Sequence, residues 1–322
     1  MRYSQLTEGE RYQIYGLLKE GLSQKAIAKN LEKHPSTISR ELRRNKGRKG
    51  YRHQQANRLA VERRCSAKKH IKLTVDVQNW IRTLVKQDLS PEQVVGYLKR
   101  HQGIQLHHET IYQFIYRDKA HGGELHKHLR IANKPYRKRY GKHDRRGQIV
   151  NRVSIDDRPK IVEEKSRIGD WEGDTIIGKG HKGALLTLVE RSTLYTLIVP
   201  LAGKHADKLR EAVIEVLKPM KDRVFTLTYD NGKEFAEHEQ MAKELEADVY
   251  FAHPYASWER GINENTNGLI RQYFPKGTDL TKITQEQVQF VMDRLNNRPR
   301  KTRGGKTPNE LFMGLQVDLL AA

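Results

Sequence analysis

WEGDTIIGKGHKGALLTLVERSTLYTLIVPL, residues 171–201, decides the fold. Three apolar runs, WEGDTIIG, GALLTLVE and LYTLIVPL, are bounded by Gly, Lys, Ser or Pro and read as short strands. Three strands in direct succession predict an antiparallel meander. Working outward, residues 205–217 put Leu209, Ala212, Val213 and Val216 on one side of a helix. VFTLTYD at 224–230 and DVYFA at 248–252 read as two more strands, with a helix around 237–246 between them. Helices over 262–273 and 284–297 follow. A meander followed by alternating helix and strand predicts a mixed five-stranded sheet covered by helices, an α/β domain.

The rest of the chain has a different character. Of 322 residues, 36% are hydrophobic and 31% charged, and the net charge is +21. Residues 1–150 hold 34 Lys and Arg against 13 Asp and Glu, whereas 151–322 hold 26 of each. All of the excess positive charge therefore lies in the first half, as expected of a module that neutralises phosphates joined to one whose acidic groups have a separate task. One cysteine, Cys65, excludes an internal disulfide framework and a thiolate-rich zinc site. The histidines at 101, 107, 108, 121, 126 and 128 lack cysteine partners and regular ligand spacing, and phosphate contacts or surface positions suit them better than zinc. The amino terminus lacks the apolar core of a signal peptide, and no run of about eighteen apolar residues occurs. The expectation is a soluble cytoplasmic protein that does not enter a membrane.

The first 45 residues specify the phosphate-facing module. Thr7 and Glu10 have capping-box spacing, and Tyr12, Ile14, Tyr15, Leu17 and Leu18 supply the apolar stripe of a helix that ends near Gly21. In LSQKAIAKNLEKHPSTISRELRRN, 22–45, Ser23 caps a helix burying Ala26, Ile27 and Leu31, and Pro35 opens another burying Ile38 and Leu42. Ser36, Thr37, Ser39, Arg40, Arg43 and Arg44 face outward. This is a helix-turn-helix pattern, whose second helix offers hydroxyls and guanidiniums to the DNA major groove. Glu32 stands in the turn where such motifs often place Gly.

These signals set expected boundaries: a DNA-binding helix-turn-helix at 1–50, a basic linker at 51–72 and a second helix-turn-helix-like unit at 73–132. Within that unit Ser90-Pro91-Glu92 and His108-Glu109-Thr110 start helices with Val94, Val95, Leu98 and Ile111, Phe114, Ile115 inward. A basic connector at 133–160, the α/β domain at 161–300 and a tail with a short helix at 301–322 complete the division.

The carboxylates carry the chemistry. Asp174 interrupts a strand, where its charge is costly to bury and needs a cation. Asp230 ends another strand just before Asn231-Gly232, a position where α/β sheets gather ligands and also an ordinary turn signal. Glu264 starts a helix, with 33 residues separating it from Asp230, and Asn267, Gly268 and Arg271 share its face. Three carboxylates from two strands and a helix suit two Mg²⁺ ions, with water and phosphate oxygens completing each shell. Glu172 shares a strand side with Asp174 and is expected near the metals as a supporting group. Glu259 lies in a loop better suited to gripping DNA. Lys233, Arg260, Arg271 and Lys276 are candidate phosphate contacts, and Trp258 and Tyr255 can stack on a displaced base.

GDWEGDTIIGKG, TYDNGKEF and WERGINENTNGLIRQYFPKG, with STISRELRRN upstream and NNRPRKTRGGKTPNELF downstream, resemble the IS-thirty family of bacterial insertion-sequence transposases over nearly the whole chain. The resemblance implies a ribonuclease-H-like catalytic domain with an Asp-Asp-Glu triad at Asp174, Asp230 and Glu264. It also implies binding to terminal inverted repeats of double-stranded DNA by the amino-terminal region, capture of target DNA, and a homo-oligomer, at least a dimer on DNA. Two-metal cleavage and strand transfer through a circular intermediate would follow, with Mg²⁺ replaceable by Mn²⁺, and nucleoid association of the bound protein. The segment TRGGKTPNELF is less regular than the family pattern, which leaves Arg303 to Lys306 without an expected role. A non-catalytic repressor and a nuclease without strand transfer are the alternatives that the residues alone leave open.

Overall fold

In a computed structural model describing residues 5–67, 73–130, 149–254 and 256–321, Thr7 and Glu10 cap the first helix reciprocally. The chain divides into two compact units, Met1–Lys72 and Leu73–Ala322. The first contains α1 (Glu8–Lys19), α2 (Gln24–Asn30), α3 (Pro35–Asn45) and α4 (His53–Ser66). Ile14, Ile27, Ala28 and Ile38 close its small core. Tyr12, expected in the apolar stripe, is 62% exposed and lies edge-on to His53 instead. Glu32 has φ 51°, so the α2–α3 turn does require the left-handed region where a Cβ is strained.

Two features of this unit were not visible in the sequence. Arg11 is buried with Glu41, its Nε 2.9 Å from the carboxylate, and also donates to the Leu6 carbonyl. The tract 51–72, expected to be a solvated linker, contains α4. That helix buries only Ala56 and is held by polar contacts, Arg11 to Asn57 at 3.1 Å and Arg63 to Asn45 at 2.8 Å. Without an apolar stripe it leaves no periodic signal.

The second unit begins with α5 (Val75–Lys86), α6 (Pro91–Gln102) and α7 (His108–Ala120) around Ile81, Leu84, Leu98, Ile111 and Ile115. After residue 149 come α8 (Lys160–Glu164), β1 (Asp170–Ile177), β2 (Ala184–Glu190), β3 (Thr196–Leu201), α9 (Ala206–Leu217), β4 (Thr226–Tyr229), α10 (His238–Leu245), β5 (Asp248–Phe251), α11 (Gly261–Tyr273), α12 (Gln285–Asn296) and α13 (Pro308–Phe312). The sheet order is β3-β2-β1-β4-β5, antiparallel across the first three strands and parallel from β1 through β5. This is the mixed sheet of a ribonuclease-H-like domain.

Strand alternation gives each face its own core. Leu186, Leu188, Leu227 and Tyr229 pack with Leu209 and Val213 of α9 and Met241 of α10. Leu185, Ile176 and Ile198 pack with Leu269 and Ile270 of α11 and Val288 and Val291 of α12. The carboxyl-terminal segment closes over both parts of this unit. Arg303 donates to the Arg191 and Ser192 carbonyls of the β2–β3 turn, and Phe312 stacks on Tyr195 at 4.4 Å. Farther on, the Leu319 amide donates to the Tyr97 hydroxyl of α6, which donates to Asp318. Residues 133–148 of the expected connector, and Tyr255, lie outside the described residues.

Candidate active site

Register brings the two aspartates together. β1 and β4 run parallel with Glu172 opposite Thr228, so Asp174, within β1, and Asp230, just past the end of β4, come side by side. Gly173, just before Asp174, faces the other side of the sheet, where a Cβ would strike the Tyr229 ring. Asp174 is held at three points. Its Oδ1 accepts from the Thr175 amide at 2.9 Å, its Oδ2 from Asn267 Nδ2 at 2.8 Å, and its main-chain carbonyl from Thr187 Oγ1 at 3.2 Å. Thr187 Oγ1 is also 3.0 Å from Asn267 Oδ1, so its single proton is shared between that oxygen and the Asp174 carbonyl, and Asn267 turns its Nδ2 toward Asp174. Asp230 accepts from the Gly232 amide at 3.0 Å, the turn geometry that Asp-Asn-Gly predicts.

The cation that Asp174 requires is Arg260. Its Nη1 lies 3.7 Å from Asp174, its Nη2 lies 3.7 Å from Asp230, and Nη1 also donates to the Gly173 carbonyl at 3.3 Å. Burial raises the Asp174 carboxyl above the usual range and Asp230 adds to that, while Arg260 opposes both. A second charged pair adjoins it. Glu234 is buried, accepts from Thr175 Oγ1 at 2.9 Å and pairs with Lys204; against the push of burial, Lys204 and Thr175 keep its carboxyl below the usual range. Neither Glu234 nor Lys204 announces itself in the sequence, since their pairing depends on a loop after β3 meeting one after β4.

Glu264 stands exposed on the first turn of α11 and has no hydrogen-bond or ion-pair partner among the described residues. Among those residues no three of His, Cys, Asp and Glu already converge as a metal site. Asp174 and Asp230 nevertheless fit a divalent ion, because the two carboxylates share one cation in Arg260 and present oxygens of the kind Mg²⁺ prefers. Glu172 does not join them. It is 1% exposed, paired with Arg191, and accepts from the Asn263 amide at 3.2 Å, beneath the site and linked to Arg158 and Glu163. The period of two placed it on the correct side of β1, but its partner comes from the β2–β3 turn.

The other sequence candidates divide by environment. Lys233 and Lys276 are exposed. Arg271 spends its guanidinium on carbonyls, donating to Ile177 at 2.8 Å, and ties α11 to the end of β1. Trp258 is 77% exposed, and Glu259 is clamped by His253 through both oxygens at 2.8 Å. In the first unit Ser39, Arg40, Arg43 and Arg44 are exposed on α3, and Ser36 and Thr37 are half-buried. Thr37, Arg40 and Arg44 line a cleft of about 420 Å³ with Arg63 and Arg64 of α4.

Residues 2–45 match the family described as a helix-turn-helix domain. A transposase for insertion sequence element IS4351 from Bacteroides fragilis is 48% identical, over 95% of this chain and 95% of that protein. The transposase InsI for insertion sequence element IS30A from Escherichia coli (strain K12) is 37% identical, over 95% of this chain and 83% of that protein. Among solved structures, the catalytic core domain of BIV integrase is similar at 20% identity and a TM-score of 0.37, over 46% of this chain and 95% of that one.

Proposed function

The chain belongs to the IS30 family of insertion-sequence transposases, and from that premise we propose that it binds the terminal inverted repeats of its own element, cleaves there and joins the exposed 3′-hydroxyl to target DNA. The observation that carries this reading is the pairing of Asp174 and Asp230 around a single cation at the carboxyl end of β4. We assign Asp174, Asp230 and Glu264 as ligands of two Mg²⁺ ions, with Mn²⁺ able to substitute. A metal held by these carboxylates would supply Lewis-acid polarisation of the scissile phosphate and would lower the pKa of the attacking water or hydroxyl.

The chain's own residues do the rest. Asn267 and the Thr175 amide fix the Asp174 carboxylate, and the Gly232 amide fixes Asp230, so both ligands are oriented before DNA arrives. Glu264, on the first turn of α11, is free to turn toward them. Arg260, which lies against both aspartates, would be available to a DNA phosphate, with exposed Lys233 and Lys276 as further phosphate contacts. In cleavage, a water oxygen bonds to phosphorus as the bond to the 3′ oxygen breaks, and that oxygen leaves as a hydroxyl. In joining, this 3′ oxygen bonds to a target phosphorus and gives up its proton as the target's own P–O3′ bond breaks, and the target 3′ oxygen leaves as a hydroxyl. Ser36, Thr37, Ser39, Arg40, Arg43 and Arg44 of α3 read the repeat, in an assembly of at least two chains that passes through a circular form of the element.

The test is a Mg²⁺-dependent cleavage and joining assay on duplexes carrying the element's ends, comparing the parent with Asp174→Asn, Asp230→Asn and Glu264→Gln. Loss of both products is expected in all three. Full activity in any one removes that residue from the triad. Hydrolysed ends without joined product identify a nuclease, and binding without any cutting identifies a repressor.

A further inference from the structure

Arg298 and Arg300 follow α12 and are 3% and 9% exposed, yet neither forms an ion pair with a carboxylate among the described residues. Arg298 Nη2 donates to the Tyr273 hydroxyl at 3.1 Å, and that hydroxyl donates to Asp88 at 3.0 Å. Asp88 in turn is shared with His128 at 2.9 Å. Arg300 Nη2 donates to the Leu295 carbonyl at 3.0 Å. The Nε atoms of both are buried without a partner among the described residues. Burial, together with repulsion from Arg298 and Arg130, pushes the Arg300 guanidinium down to about 9.

A buried guanidinium is stable when a counter-charge offsets its lost hydration. The carbonyl end of α12 supplies a partial negative charge, and the Asp88 carboxylate, already shared by Tyr273 and His128, reaches Arg298 only through the Tyr273 hydroxyl. The third cation, exposed Arg130, points its Nη2 to within 3.2 Å of where a Cβ on Gly268 would stand. Gly268 is itself exposed and lies four residues after Glu264, on the same face of α11. An anion at Arg130 would sit beside bare helix backbone, one turn from that carboxylate.

We infer that Arg130, Arg298 and Arg300 form a phosphodiester-binding site that seats the DNA backbone against Gly268, one turn of α11 from Glu264. The two buried guanidiniums supply the positive potential, and Arg130 at the mouth makes the contact. The inference rests on the transposase reading, and it adds an anchor that fixes the distance between the bound strand and the cleavage point.

The experiment uses the full chain, with Arg130→Ala, whose side chain is exposed, and Gly268→Asp, which would place a carboxylate opposite Arg130. Affinity for an end duplex is measured against salt, and melting is measured in inorganic phosphate and in chloride of equal ionic strength. Each lost phosphate contact should lower the magnitude of the log–log salt slope by about 0.9. Phosphate should raise the melting temperature of the parent and not that of Gly268→Asp. Unchanged slopes in both variants overturn the inference. Stabilisation by phosphate with unchanged slopes would assign the cluster to free phosphate and likewise overturn the DNA site. A parent that binds every duplex equally and cuts none fails as a transposase, while its slope still reports on the cluster.

Discussion

The Arg260 guanidinium lies 3.7 Å from the Asp174 carboxylate, and its other terminal nitrogen is equally far from Asp230. An internal cation therefore occupies the space between two carboxylates assigned to metal. At about 4 Å a unit charge pair interacts by about 4 kcal/mol at a near-surface dielectric, and solvent around the partly exposed aspartates leaves a fraction of that. Removing the competing cation should tighten divalent binding. Arg260→Gln is expected to lower the Mn²⁺ dissociation constant by roughly tenfold, equivalent to about 1.4 kcal/mol, in a titration followed by electron paramagnetic resonance. Unchanged or weaker binding would show that Arg260 does not compete.

Asn267 acts through Asp174. It orients the carboxylate at 2.8 Å and is itself oriented by Thr187 at 3.0 Å. Asn267→Ala should reduce cleavage by roughly 10- to 100-fold, the usual effect of losing a group that orients a metal ligand. Folding and duplex affinity should be retained. A variant that cleaves like the parent would mean that Thr175 alone suffices to hold Asp174.

Glu172 and Arg191 test the separation between support and chemistry. The pair is buried, so Arg191→Met would strand the carboxylate and should destabilise the Leu73–Ala322 unit by about 3 kcal/mol or more. Thermal melting followed by circular dichroism would register the loss. Glu172→Gln should leave Mn²⁺ affinity unchanged, and a tenfold drop would return Glu172 to the metal site.

What the sequence revealed follows the range of its physical signals. All five strands and the helices that cover them come from local alternation and helical spacing, and their ends fall within about two residues of those expected. Asp230 was legible because a strand ends at it, and Asp174 because a carboxylate in a strand demands a cation. The identity of that cation was not legible, since Arg260 reaches Asp174 only after the β5–α11 loop folds back over β1. The same limit hid Lys204 with Glu234 and Arg11 with Glu41, where the pairing is long-range and neither partner breaks a pattern. Helix α4 escaped for the opposite reason, because polar contacts hold it and no periodic apolar face exists to detect.

His253 links the loop before α11 to pH. Its ring contacts Glu259 at 2.8 Å and Asp156 at 2.9 Å, and these carboxylates raise its pKa above the ordinary 6.5. A raised histidine contributes its stabilisation fully below 6.5 and loses it as pH rises through the higher folded value. Ring titration by nuclear magnetic resonance should therefore give a midpoint above 6.5, falling in Glu259→Gln. A midpoint at or below 6.5 in the parent would dissolve the clamp.

Glu32 carries the last prediction, because its backbone is in the left-handed region at φ 51° in the turn between α2 and α3. A Cβ in that region costs about 1–2 kcal/mol. Glycine removes this cost but loses more chain entropy on folding, roughly 0.5–1 kcal/mol. Glu32→Gly should thus stabilise the helix-turn-helix unit by about 0.5–1 kcal/mol. Removing the carboxylate from a basic surface also acts electrostatically, so Glu32→Gln isolates that part by changing the charge and keeping the Cβ. Chemical denaturation should rank glycine above glutamine. Equal stability of the two variants would mean that the turn accepts a side chain without strain.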